Sequence, residues 1–259
     1  NKPADSDFDE KVSIEFDHVT FVYPDGEEPV LQDVSFKANK GEMIAFIGST
    51  GSGKSTLVNL VPRFYDVSSG SIKINGKDIR DYDVLELRDK LGVIPQKAVL
   101  FSGTIADNIR FGKKDASDEE VEYAAKVAQA YPFIMEKENG FDEEISEGAT
   151  NVSGGQKQRL SIARALVRKA QIYIFDDSFS ALDFKTDAIL RKELKKEMTE
   201  SIMLVVAQRI SSIMEADQII VLNEGKVVGK GTHHQLLKEC QIYHEIATSQ
   251  LSEEELANA

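Results

Sequence analysis

The octapeptide Gly48-Ser49-Thr50-Gly51-Ser52-Gly53-Lys54-Ser55 fits the spacing G-x-x-x-x-G-K-[ST], with Thr56 adjoining it. Glycines at these positions let successive backbone N–H groups turn inward around phosphate oxygens, and a helix starting there adds positive partial charge. Lys54 can bridge phosphate oxygens, and the Ser55 hydroxyl can ligate Mg²⁺. A Gly/Ser-rich surface turn would explain neither the lysine nor the apolar run Met43-Ile44-Ala45-Phe46-Ile47 before it. A carboxylate follows far downstream, where the apolar run Ile172-Tyr173-Ile174-Phe175 ends in Asp176. In a parallel sheet Asp176 emerges at the same edge as the loop, placed to orient Mg²⁺.

A second glycine pair lies in Asn151-Val152-Ser153-Gly154-Gly155-Gln156, ahead of a helical pattern through Leu160, Ile162, Ala163, Ala165 and Leu166. Lys157, Arg159, Arg164 and Arg168 accompany it. Two glycines at a helix start make another anion site. One nucleotide does not need both, unless the second serves a nucleotide held by another copy of the fold.

These residues need elements to hold them. Val12 to Phe16 alternates apolar and polar residues as a half-buried strand does, and Pro24-Asp25-Gly26 supplies turn chemistry. Met43 to Ile47, stopped by Gly48, reads as a strand buried on both faces, and Leu57, Leu60 and Val61 as a helix after the loop. Further strands are expected at Ser71 to Ile74, Gly92 to Ile94, Ile172 to Phe175, Met203 to Val206 and Gln218 to Leu222. Capping boxes at Ser117 to Glu120 and Thr232 to Gln235 open two helices, the first within a helical insertion from about Asp115 to Asn139. The pattern predicts an α/β fold with a parallel core and a helical subdomain.

Composition narrows the functional classes. The 259 residues carry 31 Lys+Arg against 44 Asp+Glu, a net charge of −13, opposite to the balance of a phosphate-backbone binder and arguing against a nucleic-acid partner. No apolar run is long enough to span a bilayer, and Asn1 to Glu10 lacks the basic and apolar parts of a signal peptide. Cys240 is the only cysteine, so no internal disulfide forms; it is expected as a small side chain in a helix, and a reducing compartment is implied.

With both glycine motifs in place, the chain resembles the nucleotide-binding domain of an ATP-binding cassette (ABC) transporter from roughly Val12 to Gln250. The resemblance implies a P-loop NTPase core with a mainly parallel sheet, an N-terminal antiparallel β-subdomain and an inserted helical subdomain at about 97–168. The domain would run over 11–251, between a flexible linker at 1–10 and a fraying polar tail at 252–259. It implies ATP and Mg²⁺ as ligands, and a head-to-tail dimer in which Ser153, Gly154, Gly155 and Gln156 cap the γ-phosphate of the partner's ATP. Tyr23 looks like the aromatic that stacks on adenine. Gln96, after Val93-Ile94-Pro95, looks like the glutamine that contacts Mg²⁺ and the attacking water and relays nucleotide state to the membrane domain. Ser180-Ala181-Leu182-Asp183 resembles the loop through which the two sites communicate. Phe101 to Ile109 and Ser146 to Thr150 resemble the exporter branch, where the domain follows a six-helix membrane domain in one polypeptide. The non-Met start is then that of an excised domain at the cytoplasmic face of the cell membrane.

Two positions depart from that family. It places a glutamate that polarises the attacking water at 177, and a histidine that senses the γ-phosphate just after the strand Met203 to Val206; this chain has Asp177 and Gln208. The missing methylene withdraws the carboxylate by about 1.5 Å, and about 1 Å of misplacement can cost on the order of 100-fold in rate. The Gln208 amide can hydrogen-bond a phosphate but cannot carry imidazole's charge or proton. The pairing resembles the degenerate-site half of a heterodimeric multidrug exporter, which binds ATP, hydrolyses it weakly and donates an intact signature to a non-identical partner. A regulatory ATP clamp with negligible hydrolysis and the stand-alone ATPase subunit of an importer are the alternatives. A chromosome-type ATPase needs a long coiled coil between the two glycine motifs, and Lys54 to Ser153 leaves no room for one.

Overall fold

The computed structural model describes residues 12–252 and 255–256; the expected linker at 1–10 lies outside them, as does much of the expected tail. The chain opens with β1 (Ser13–Phe21) and β2 (Leu31–Asn39), then β3 (Met43–Gly48) and α1 (Lys54–Asn59). Next come β4 (Ser69–Ile74), β5 (Lys77–Asp78), α2 (Val84–Asp89) and β6 (Leu91–Ile94). A helical region follows: β7 (Gly103–Thr104), α3 (Ile105–Arg110), α4 (Asp118–Val127), α5 (Tyr131–Met135), β8 (Glu144–Ile145) and α6 (Gly154–Leu166). The chain returns through β9 (Ile172–Asp176), α7 (Phe184–Glu197), β10 (Ile202–Val206), β11 (Gln218–Asn223), β12 (Lys226–Gly231), α8 (His233–Glu239) and α9 (Gln241–Gln250).

The central sheet has six strands in the order β12-β11-β3-β10-β9-β6, all neighbours parallel except β11 and β12. A four-stranded antiparallel sheet, β2-β1-β4-β5, forms the other layer. The continuous apolar runs follow from burial on both faces. Ile44 and Phe46 point into the core shared with the antiparallel sheet and α1, while Ala45 and Ile47 point into the core shared with the helices. β9 and β10 divide the same way, Ile172, Ile174, Ile202, Leu204 and Val206 against Tyr173, Phe175, Met203 and Val205. Side chains alternating at period two therefore let one hydrophobic strand glue two layers together.

Both capping boxes form as the sequence predicts. The Ser117 hydroxyl accepts from the Glu120 N–H and the Glu120 carboxylate from the Ser117 N–H; Thr232 and Gln235 make the same exchange. The helical region is wider than the expected Asp115 to Asn139 insertion, since α3 and α6 pack on α4 and belong to it. Cys240 is not inside a helix: it is the joint between α8 and α9, buried, with extended backbone. The expectation of a frayed tail also needs correction at its start. Ser252 and Glu255 form a capping pair and Leu256 packs against the helix-side core.

Candidate functional site

The loop Gly48 to Gly53 leaves the C-terminal end of β3 and enters α1. Gly53 is left-handed at φ +101°, and a Cβ there would lie 2.8 Å from Leu31 Cδ2 and 3.0 Å from the Val30 carbonyl oxygen. Gly48 passes so close to β11 that its Cβ would meet the Leu222 carbonyl oxygen at 2.1 Å. Gly53→Ala should therefore cost about 1–3 kcal/mol, read as a drop of several degrees in melting temperature.

Lys54 is 9% exposed, and its ammonium donates to the carbonyls of Gly48 (2.7 Å) and Ser49 (2.8 Å) and to Ser52 Oγ (3.3 Å). Burial pushes its pKa down, while the carboxylates of Asp177 and Asp176 push it up. The cation thus sits inside the ring of the loop, facing two acids at the end of β9.

The parallel register explains how those acids arrive. Val206 at the end of β10 is level with Asp176 on one side and Phe46 on the other, so β9 and β10 end together and β3 runs two residues further, to Gly48, where the loop begins. Asp176 Oδ1 accepts from the Ser55 hydroxyl at 2.8 Å. Asp177 turns out of the strand at φ +49°, with its N–H on the Val206 carbonyl (2.9 Å). Its Oδ2 accepts two amide hydrogen bonds, from Gln96 Nε2 and Gln208 Nε2, both 3.1 Å. Burial raises the pKa of both acids; the Ser55 bond opposes it at Asp176 and the Gln96 bond at Asp177.

One cavity of about 780 Å³ is lined by Gly48 to Gly51, Gly53 to Thr56, Gln96, Asp177 and Gln208, while Ser52 and Asp176 are not in its wall. Most sequence-predicted site residues are thus gathered by the fold. Tyr23 is not in the wall; it is half-buried, edge-on to Phe21 and Tyr65, with its hydroxyl 3.0 Å from Thr56 Oγ1. Ser153 to Gln156 are also outside the cavity. Ser153 caps α6, its hydroxyl accepting from the Gln156 N–H while the Gln156 side chain accepts from the Ser153 N–H. Gly155 lies against the Ala181 carbonyl and Leu182, so the second glycine motif backs onto the Ser180–Asp183 loop.

Sequence reasoning missed the residues that lash these segments together. Buried Gln158, in α6, donates to the Pro95 carbonyl at 3.0 Å, and Ser178 to the Ile94 carbonyl at 2.8 Å, fixing the approach to Gln96 from both sides. Arg209 donates to the carbonyls of Leu182 (3.0 Å) and Ser180 (2.9 Å) and lies over the Phe184 ring at 4.8 Å. Five residues of α9 also wall the cavity. A glutamine or arginine after a strand carries no local signal for such contacts.

A sequence profile described as ABC transporter matches residues 31–180. The chain belongs to the ABC transporter family. Its architecture is the ABC ATPase fold, and ATP is the ligand of this family's domain. It is 47% identical over 234 residues to an uncharacterized ABC transporter ATP-binding protein of Mycobacterium tuberculosis, covering 89% of this chain and 40% of that protein. It is 44% identical over 237 residues to a Staphylococcus aureus protein provisionally named a multidrug export ATP-binding/permease protein, covering 92% of this chain and 41% of the relative. A bacterial Atm1-family ABC exporter solved with ATP bound superposes with TM-score 0.89 at 38% identity, over 94% of this chain and 43% of that one. The chain thus spans about two fifths of the length of the curated relatives it matches. Among the described residues no helix is long and apolar enough to cross a membrane.

Proposed function

We propose that this chain is the ATP-binding motor domain of an exporter, with a degenerate site of its own and an intact signature that completes a partner's site. The observation that carries this reading is the Asp177 carboxylate: one methylene shorter than glutamate, with Oδ2 already accepting from both Gln96 and Gln208. Polarising a water needs a free, forward carboxylate oxygen. Here the side chain is one methylene shorter than glutamate, and of its two oxygens Oδ2 is held by two amides.

In the working site, the loop and Lys54 hold the β- and γ-phosphates, and Gln208 donates its amide to the γ-phosphate. The Ser55 hydroxyl and Asp176 carboxylate, 2.8 Å apart, are hard oxygen donors that would fit Mg²⁺, and Gln96, the proposed third contact, lines the same cavity as Ser55. Among the described residues no cluster of three or more His, Cys, Asp or Glu could hold a metal by itself, which suits an ion that takes its remaining ligands from phosphate and water. That ion, when bound, neutralises charge on the transferring phosphoryl. Tyr23 flanks the adenine end, reached through Thr56.

The proposed head-to-tail dimer is supported by Ser153 to Gln156 standing outside their own chain's cavity. The expected membrane-domain contact near Gln96 is supported by a groove of about 270 Å³ with Phe64, Val93, Phe111 and Arg164 in its walls, since Phe64 and Phe111 are 54% and 61% exposed. The ATP-binding/permease name of the Staphylococcus aureus relative, longer than this chain, favours an exporter half over an importer's separate subunit. We assign 11–251 to the ATPase domain, with its helical subdomain at about 97–168, at the cytoplasmic face of a membrane; the transported drug or lipid is selected elsewhere in the protein.

The test is direct: the isolated chain should bind MgATP and turn it over negligibly, and brisk hydrolysis would overturn the reading. Single-turnover release of intact ATP would identify a pure clamp. Lys54→Ala should weaken MgATP binding by about 30-fold, measured by calorimetry.

A further inference from the structure

α9 is held to the core by Tyr243 and Ala247, both fully buried, and turns the adjoining stripe, Ile242, Glu245, Ile246, Ser249 and Gln250, into the wall of the nucleotide cavity. The spacing is that of one helical face. At its end the Gln250 side chain bridges the segment carrying Gln208. Gln250 Nε2 donates to the Gln208 carbonyl at 2.8 Å, and Gln250 Oε1 accepts from the Ile210 N–H at 2.8 Å. A single amide therefore satisfies both backbone groups that flank Arg209, much as a neighbouring strand would.

The Gln208 side chain has three rotatable bonds before its amide, and its reach to a phosphate depends on where its backbone is fixed. On the β10 side that backbone is anchored by the Ala207 N–H on the Phe46 carbonyl at 3.2 Å. On the far side the anchor is Gln250. We propose that Gln250 is a positioning residue for γ-phosphate recognition, making the C-terminal helix a working part of the nucleotide site. This rests on the reading of Gln208 as the γ-phosphate contact.

The experiment compares MgATP and MgADP affinities of the full chain by calorimetry for wild type, Gln208→Ala, Gln250→Ala and the double variant. Gln250 is exposed and ends its helix, so alanine leaves the fold intact. Gln250→Ala should lower the ATP-to-ADP affinity ratio by about tenfold, the lower end of what one hydrogen bond to a charged group supplies, with ATP weakened more than ADP. The double variant should match Gln208→Ala alone, because the second substitution acts only through the first residue. Equal weakening of ATP and ADP by Gln250→Ala would reveal mere loosening of the helix and overturn the proposal. So would an unchanged ratio in Gln250→Ala beside a collapsed ratio in Gln208→Ala. An unchanged ratio in Gln208→Ala would instead overturn the reading of Gln208 itself.

Discussion

Asp177→Glu combined with Gln208→His should raise ATP turnover by on the order of 100-fold, measured as steady-state phosphate release at chain concentrations that saturate dimer formation. The glutamate adds a methylene, advancing the carboxylate by about 1.5 Å past the point where Gln96 and Gln208 now hold it. The histidine removes one of those two amide donors and replaces it with a ring able to carry a proton and a positive charge. Either substitution alone should fall well short, because the carboxylate and the residue at 208 share one hydrogen bond and cannot act independently. Strand β9 and the left-handed turn at 177 stay as they are, so the expected gain comes from side-chain reach. If the double variant is as slow as wild type, the slow step lies outside these two positions.

How much of this was legible in the sequence depends on how local each cause is. The phosphate loop is legible because glycine positions, lysine and hydroxyl all lie within eight residues, and the structure places them between β3 and α1 as the spacing requires. The capping boxes at Ser117 and Thr232 are legible for the same reason. β3, β9, β10 and β11 announce themselves as continuous apolar runs because they are buried on both faces. β12 does not: Lys226-Val227-Val228-Gly229-Lys230-Gly231 is an edge strand with mostly exposed or half-buried side chains, and its glycines read as turn. β2 carries the alternation Val34, Phe36, Ala38 yet is absent from the expected strands. The positions of Asp177 and Gln208 are legible through resemblance, but the shared carboxylate oxygen between them is not, since it depends on β6, β9 and β10 ending at one edge. Gln158, Arg209 and Gln250 are least legible: each acts across a long stretch of chain through a backbone carbonyl, and a carbonyl has no residue type.

The last expected result tests donation of the signature using this chain alone. A chain carrying Asp177→Glu, Gln208→His and Gly154→Asp should be nearly inactive, reduced by on the order of 100- to 1,000-fold relative to the chain without Gly154→Asp, the usual cost of removing a phosphoryl- or oxyanion-stabilising group. The fold should survive: Gly154 opens α6, nothing lies within 4 Å of a Cβ placed there, and an acid in the first turn suits the helix. What the acid harms is the approach of another anion to that helix start. On the proposed reading the wild-type chain should be slow for the opposite reason, an intact signature beside a degenerate site. Mixing the two in equal amounts should restore turnover, because the mixed dimer joins a competent catalytic pair from one chain to an intact signature from the other. With random pairing in a two-fold dimer, about a quarter of all sites are then complete, and turnover should reach about that fraction of the Asp177→Glu, Gln208→His level. No recovery on mixing, with dimers demonstrated by light scattering, would mean that each chain completes its own site and that the partition of labour proposed here is wrong.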